Sequence, residues 1–166
     1  MNKAFLIFAL AFIIIDSQAQ TASDSISRRG QAVFVELLGP GGIFSANYDT
    51  RFTSKPGGIG IRTGISYTKI EDASIFTLPV QMNYLLGKDE KYFEIGLGAT
   101  YGSARILDSD SDDDHDSGSE ILGTMTFGYR KQPKDGGFMF RGGIAPLFGK
   151  DFFWPYWPYI SFGYSF

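Results

Sequence analysis

Apolar and polar positions alternate along most of the chain, most plainly in residues 157–166. Phe166, Tyr164, Phe162 and Ile160 are apolar or aromatic, while Ser165, Gly163, Ser161 and Tyr159 between them are small or can hydrogen-bond. A period of two marks a strand whose two faces meet different environments. The pattern recurs over residues 31–38, 43–52, 59–69, 75–86, 92–104, 121–130 and 138–148, with glycine- and proline-rich clusters in several of the gaps. In the fourth segment Phe76, Leu78, Val80, Met82, Tyr84 and Leu86 oppose Thr77, Gln81 and Asn83. In the fifth, Phe93, Ile95, Leu97, Ala99 and Tyr101 oppose Glu94, Gly96, Gly98, Thr100 and Gly102.

Eight segments of about ten residues each suit tilted strands that cross a bilayer. The fold class expected is therefore all-β: an eight-stranded antiparallel up-and-down transmembrane β-barrel, preceded by a cleaved signal peptide. A β-sandwich is the rival; at this chain length it would need strands half as long, with its charges outside. Two prolines fit a closed wall poorly, because Pro79 and Pro146 each remove a ladder donor. A bulge is expected near Pro79.

Composition agrees with strands and tight turns: 16% aromatic residues, 20% charged, and 21 glycines in 166 residues. Mean hydropathy is near zero (−0.06), as expected where lipid-facing and lumen-facing residues average out. With no cysteine, disulfides, thiol catalysis, cysteine-ligated clusters and an N-terminal lipidated cysteine are excluded.

Residues 1–19 read as a signal peptide. Lys3 gives the charged region, residues 4–15 the apolar one, and Ser17 and Ala19 the small residues of a cleavage site. Twelve residues of helix reach only about 18 Å, short of a span. Residues 20–30 form a polar periplasmic lead-in, and residues 31–166 the barrel domain.

Loop lengths suggest an orientation. With both termini periplasmic, the turns at 54–58, 87–91 and 132–137 lie on the periplasmic side, and all are short. The longer connections, 107–120 and 149–156, then face outward, the usual asymmetry of outer-membrane barrels.

The leader, the strand pair V-F-V-E-L-L-G-P-G-G-I-F-S-A-N-Y-D-T-R-F and the terminal aromatic strand together resemble the small eight-stranded outer-membrane barrels of the OmpA/OmpX type. The likeness covers the chain from Gln31 onward and carries no catalytic assignment. It implies a cell outer-membrane location, contact with lipid and lipopolysaccharide, and recognition of the final aromatic strand by the barrel-assembly machinery. A monomer is expected, with no nucleic-acid partner and no cofactor.

Candidate chemistry falls in three places. The inward face collects Glu36, Asp49 and Glu94 with Arg51, Arg62, Arg130 and Arg141. In so narrow a bore these form either an ion-paired plug, given room by inward glycines, or the lining of a small pore. Residues 108–120 carry seven acids and no base. There Asp108, Asp110, Asp112 and Asp114 alternate like the start of a calcium loop, but Asp113 replaces its glycine and Glu120 falls one place late. This run is either a solvated acidic loop or a weak divalent-cation site. His115, the only histidine, sits inside it beside Asp116 and Ser117. Barrels that edit lipid A acyl chains use a histidine with a serine and an acid, but theirs lies near the membrane rim. The aromatic stretch 152–159 suits an interfacial girdle, loop packing over the barrel mouth, or a recognition surface.

The reading is a non-enzymatic outer-membrane barrel with a structural, adhesive or envelope-maintenance role. The alternatives are a lipid A-modifying enzyme and a small pore.

Overall fold

A computed structural model of the chain describes residues 29–55, 57–70, 73–106 and 116–166. Ten strands lie in one antiparallel sheet: β1 (Gln31–Leu38), β2 (Phe44–Arg51), β3 (Gly58–Ile70), β4 (Ala73–Lys88), β5 (Lys91–Ile106), β6 (Asp116–Lys131), β7 (Gly137–Ile144), β8 (Leu147–Phe148), β9 (Phe153–Trp154) and β10 (Pro158–Ser165). Strands β1 to β7 pair in sequence order, β8 pairs with β6 and with β9, and β10 pairs with β7. The ring closes where β1 meets β10, with Val35 opposite Phe162 and Ala32 opposite Ser165. Backbone bonds in both directions between Gln31 and Phe166 (3.0 and 3.2 Å) extend this seam. Strands β7 and β8 together make the seventh wall position, so the wall closes as eight strands over the height that the short strands share.

Alternation sets the two faces as expected. Leu97, Met82, Phe93, Phe138, Phe162 and Phe166 are among the exposed outward side chains, while Glu36, Asp49, Arg62, Glu94, Arg130 and Arg141 are fully enclosed. The outward apolar side chains form a belt around the wall, and the polar groups form the interior. That inversion is what a lipid solvent demands of a barrel.

Four departures from the expected elements have physical reasons. The segment expected at 138–148 breaks into β7 and β8 at Ala145 and Pro146. Pro146 accepts from the Met125 amide (2.9 Å) and has no N–H to return. No bulge forms at Pro79. Thr63 faces Val80 and Ser66 faces Thr77, so the β3–β4 register runs on unchanged across an unpaired step, and Pro79 still sits opposite Thr100 on β5. The second segment is slightly shorter than expected, Phe44–Arg51. Strands β4, β5 and β6, by contrast, each reach 16 residues. The loop expected at 107–120 therefore loses its last residues to β6, where Glu120 lies opposite Gly102. At about 3.3 Å per residue these strands are some 50 Å long. One side of the barrel thus continues as a sheet beyond the short strands β1, β2, β7 and β10.

The 39–42 turn cluster also does more than connect strands. Gly39–Gly41 forms a 3-10 turn that folds into the barrel mouth, and all three residues are buried. Its carbonyls are collected from around the ring: Thr100 Oγ1 donates to Pro40 (2.8 Å), Thr77 Oγ1 to Gly41 (2.6 Å) and Trp157 Nε1 to Gly39 (2.9 Å). Gly39 and Gly42 adopt positive φ (80° and 94°), which glycine alone takes without strain. Trp157→Phe leaves the Gly39 carbonyl without its indole donor. The Gly42 amide still donates to that carbonyl (3.1 Å), so the expected loss is about 0.5–1.5 kcal/mol, measured by urea unfolding in detergent micelles.

Candidate functional site

The charged lumen is the site the fold builds, and each of its residues stands on an inward register position. Near the middle, the Asp49 carboxylate accepts from Arg51 Nη2, from Arg130 Nη2 (2.9 Å) and Nη1 (3.2 Å), and from Asn83 Nδ2. Glu94 takes a two-pronged contact from Arg141 (Nε and Nη2, both 2.8 Å), a bond from Asn83 Nδ2 (3.2 Å), and an ion pair with Arg130 at 3.6 Å. Glu36 accepts from Arg62 Nη2, Arg141 Nη1 (3.1 Å) and Ser161 Oγ (2.8 Å). Each carboxylate thus meets two arginines, and Arg141 ties Glu36 to Glu94 across the bore. The planar guanidinium fork suits this, since it satisfies several acceptors from one stem.

Aromatic faces complete the packing. The Phe34 ring lies under the Arg141 guanidinium (4.5 Å to the centroid) and near that of Arg62 (5.3 Å), and Tyr159 lies 5.2 Å from Arg141. Such contacts suit guanidinium groups removed from water. Beside this network Gln81 donates to Thr124 (2.9 Å) and accepts from Thr126 (2.8 Å), joining β4 to β6 across the intervening β5.

The inward glycines supply room, as expected. A Cβ at Gly60 would strike the Arg51 guanidinium, and one at Gly98 would strike Gln81 and the Val80 carbonyl. Four arginines and three carboxylates occupy the fully enclosed positions, which leaves one positive charge in excess. The Gly39–Gly41 turn closes one end above Glu36.

All seven charged residues expected in the lumen are there, brought together from strands far apart in sequence. The remaining candidates fall elsewhere. Asp108, Asp110, Asp112 and Asp114, with His115, lie outside the described residues. The aromatic stretch divides. Phe153 and Trp154 pair back onto Leu147 and Phe148 as a small hairpin, with both rings largely exposed. Trp157 turns inward to the cap and meets Trp154 edge-on at 5.5 Å, and Tyr159 enters the lumen. Sequence reasoning did not single out the cap, Phe34 or Met139. For the last two a signal existed, because both occupy inward positions of the alternation.

A closed eight-stranded antiparallel wall, apolar outside and polar within, is the fold of the small barrels of the OmpA/OmpX type. One solved structure shares this fold. The chain is similar to the N-terminal β-barrel domain of Pseudomonas aeruginosa OprF, with a TM-score of 0.61 and 8% identity over 83% of this chain and 96% of that one. It also aligns with Ail, the attachment invasion locus protein of Yersinia pestis, crystallised with the heparin analogue sucrose octasulfate. That alignment has a TM-score of 0.46 and 13% identity, over 84% and 99% of the two chains. By sequence, the chain matches no family model and no curated protein.

Proposed function

We propose that this protein is a non-enzymatic, non-conducting barrel of the cell outer membrane. In this reading residues 1–19 are a signal peptide, 20–30 a periplasmic lead-in, and both termini lie on the periplasmic side. The barrel serves as a membrane anchor, and the tall side formed by β3–β6 is the part that meets the cell exterior, in an adhesive or envelope-maintenance role. The observation that carries this is the filled bore. Every carboxylate in it is engaged by arginines at zero exposure, and a buried turn covers one mouth. A bore filled in this way favours neither conduction nor a substrate cleft in the lumen. The belt of exposed apolar side chains supports the membrane setting, and the aromatic strand β10, paired to β1, supports recognition by the assembly machinery.

Planar-bilayer recording of the purified, refolded barrel tests the reading. The expected record is a flat baseline with at most brief, rare openings. Sustained ohmic steps in every insertion would overturn the plugged lumen and favour the pore.

A further inference from the structure

The outer wall of the tall side changes character in three successive register rows. The lowest places Leu78 opposite Tyr101, and Tyr101 opposite Ile121. The next aligns Tyr67 with Phe76, Phe76 with Ser103 and Ser103 with Ser119. The third aligns Lys69 with Ser74, Ser74 with Arg105 and Arg105 with Ser117. These are alternate residues of their strands and all lie on the outward face. The order runs from a mostly aliphatic row with one tyrosine, to aromatic and hydroxyl, and then to cationic and hydroxyl.

A groove of about 400 Å³ opens across these rows, lined by Tyr67, Phe76, Tyr101, Ser74, Ser103 and Arg105. Lys69 lies opposite the lining residue Ser74 on the neighbouring strand. Lys69 and Arg105 flank Ser74 from the two neighbouring strands, so their backbones are about 10 Å apart. Two long cationic side chains at that spacing can close on one anion. Among the described residues no carboxylate shares this outward face at that level, since Glu120 occupies the alternate, inward-facing set. Exposed aromatics at the end of an apolar belt mark the depth at which acyl chains give way to headgroups.

We propose that this groove holds the phosphorylated headgroup of an outer-leaflet glycolipid. Lys69 and Arg105 engage the phosphate, with the Ser74 and Ser103 hydroxyls beside it. Tyr67, Phe76 and Tyr101 pack against the sugar and the first acyl carbons. The inference rests on the outer-membrane reading above and adds to it a lipid of defined chemistry. Lipid oriented this way would be held against one side of the barrel only, because the cationic row belongs to the tall strands.

Native mass spectrometry of the intact barrel, refolded in neutral detergent, tests the site. The barrel is titrated with diphosphorylated lipid A, with dephosphorylated lipid A and with inorganic phosphate. Heat-modifiable gel migration reports folding independently. Diphosphorylated lipid A should bind at least tenfold more tightly than the dephosphorylated form, and Lys69→Gln/Arg105→Gln should remove that preference while migration stays normal. Lys88→Gln/Lys131→Gln, at the opposite rim, should leave it unchanged. Equal binding by the Lys69/Arg105 variant, or no preference for the phosphorylated lipid, would overturn the proposal. Displacement by inorganic phosphate at comparable concentration would also overturn it, by making this a free-anion site. Failure of the wild-type chain to fold in micelles at all would overturn the membrane reading, and the site with it.

Discussion

Arg141→Ala is expected to destabilise the barrel by about 3–5 kcal/mol, the cost of leaving buried carboxylates without their partner. Arg141 holds Glu94 through two bonds of 2.8 Å and reaches Glu36 at 3.1 Å, all at zero exposure. Truncation also removes the cation between the Phe34 and Tyr159 rings. Glu36 keeps Arg62 and Ser161, so most of the penalty should fall on Glu94, which retains Asn83 and the longer contact to Arg130. Adding Glu94→Gln to Arg141→Ala should therefore recover part of the loss. The non-additivity in a double-mutant cycle is the diagnostic. Urea unfolding in micelles, followed by tryptophan fluorescence or gel migration, measures it. Arg62→Ala should behave similarly but cost about 3 kcal/mol, since Arg141 still answers Glu36. A change near zero for both variants would mean that water, rather than arginine, satisfies the carboxylates.

Leu97→Arg carries the second large effect and tests the outside of the wall. Leu97 is 57% exposed, and in its row Met82 and Met125 lie opposite on the flanking strands, with Ile61 opposite Met82. Arginine at mid-belt should cost about 2–4 kcal/mol in a bilayer, because its charge must leave water or thin the membrane around it. On a water-facing surface the same substitution would be neutral within about 0.5 kcal/mol. Comparing folding in phospholipid vesicles for Leu97→Arg and for Lys88→Arg at the rim separates the two settings. Equal stability of both variants would remove the lipid belt.

The physics of alternation explains why so much of this fold was legible in the sequence. A strand in lipid must present apolar side chains on one face, and a narrow bore must present small or polar ones on the other. The alternation within each strand therefore reports the face of its residues without knowledge of the neighbouring strands. Glu36, Asp49, Arg51, Arg62, Glu94, Arg130 and Arg141 were placed inside on that ground alone, and inside they are. The closure of β10 on β1 follows from the same constraint, since an unpaired edge in lipid is too costly to persist.

Partner choice was not legible. Arg141 reaches Glu36 and Glu94, which lie 105 and 47 residues away, and only the stagger of the closed wall decides that these three heights coincide. The inward fold of Gly39–Gly41 escaped for a related reason. Its carbonyls are satisfied by Thr77, Thr100 and Trp157 from distant strands, so a local glycine–proline cluster announces a turn but not its direction. Strand ends were misjudged where pairing overrides local composition. Ser117, Gly118 and Ser119 look like loop residues, yet they pair with Arg105, Ala104 and Ser103. Pro79, conversely, sits in an unshifted register because a single missing donor is cheaper than re-registering a whole wall. The sequence by itself determined which way each side chain points, because that depends on period and solvent. The tertiary structure alone decided which side chains meet, because that depends on the shear of the ring.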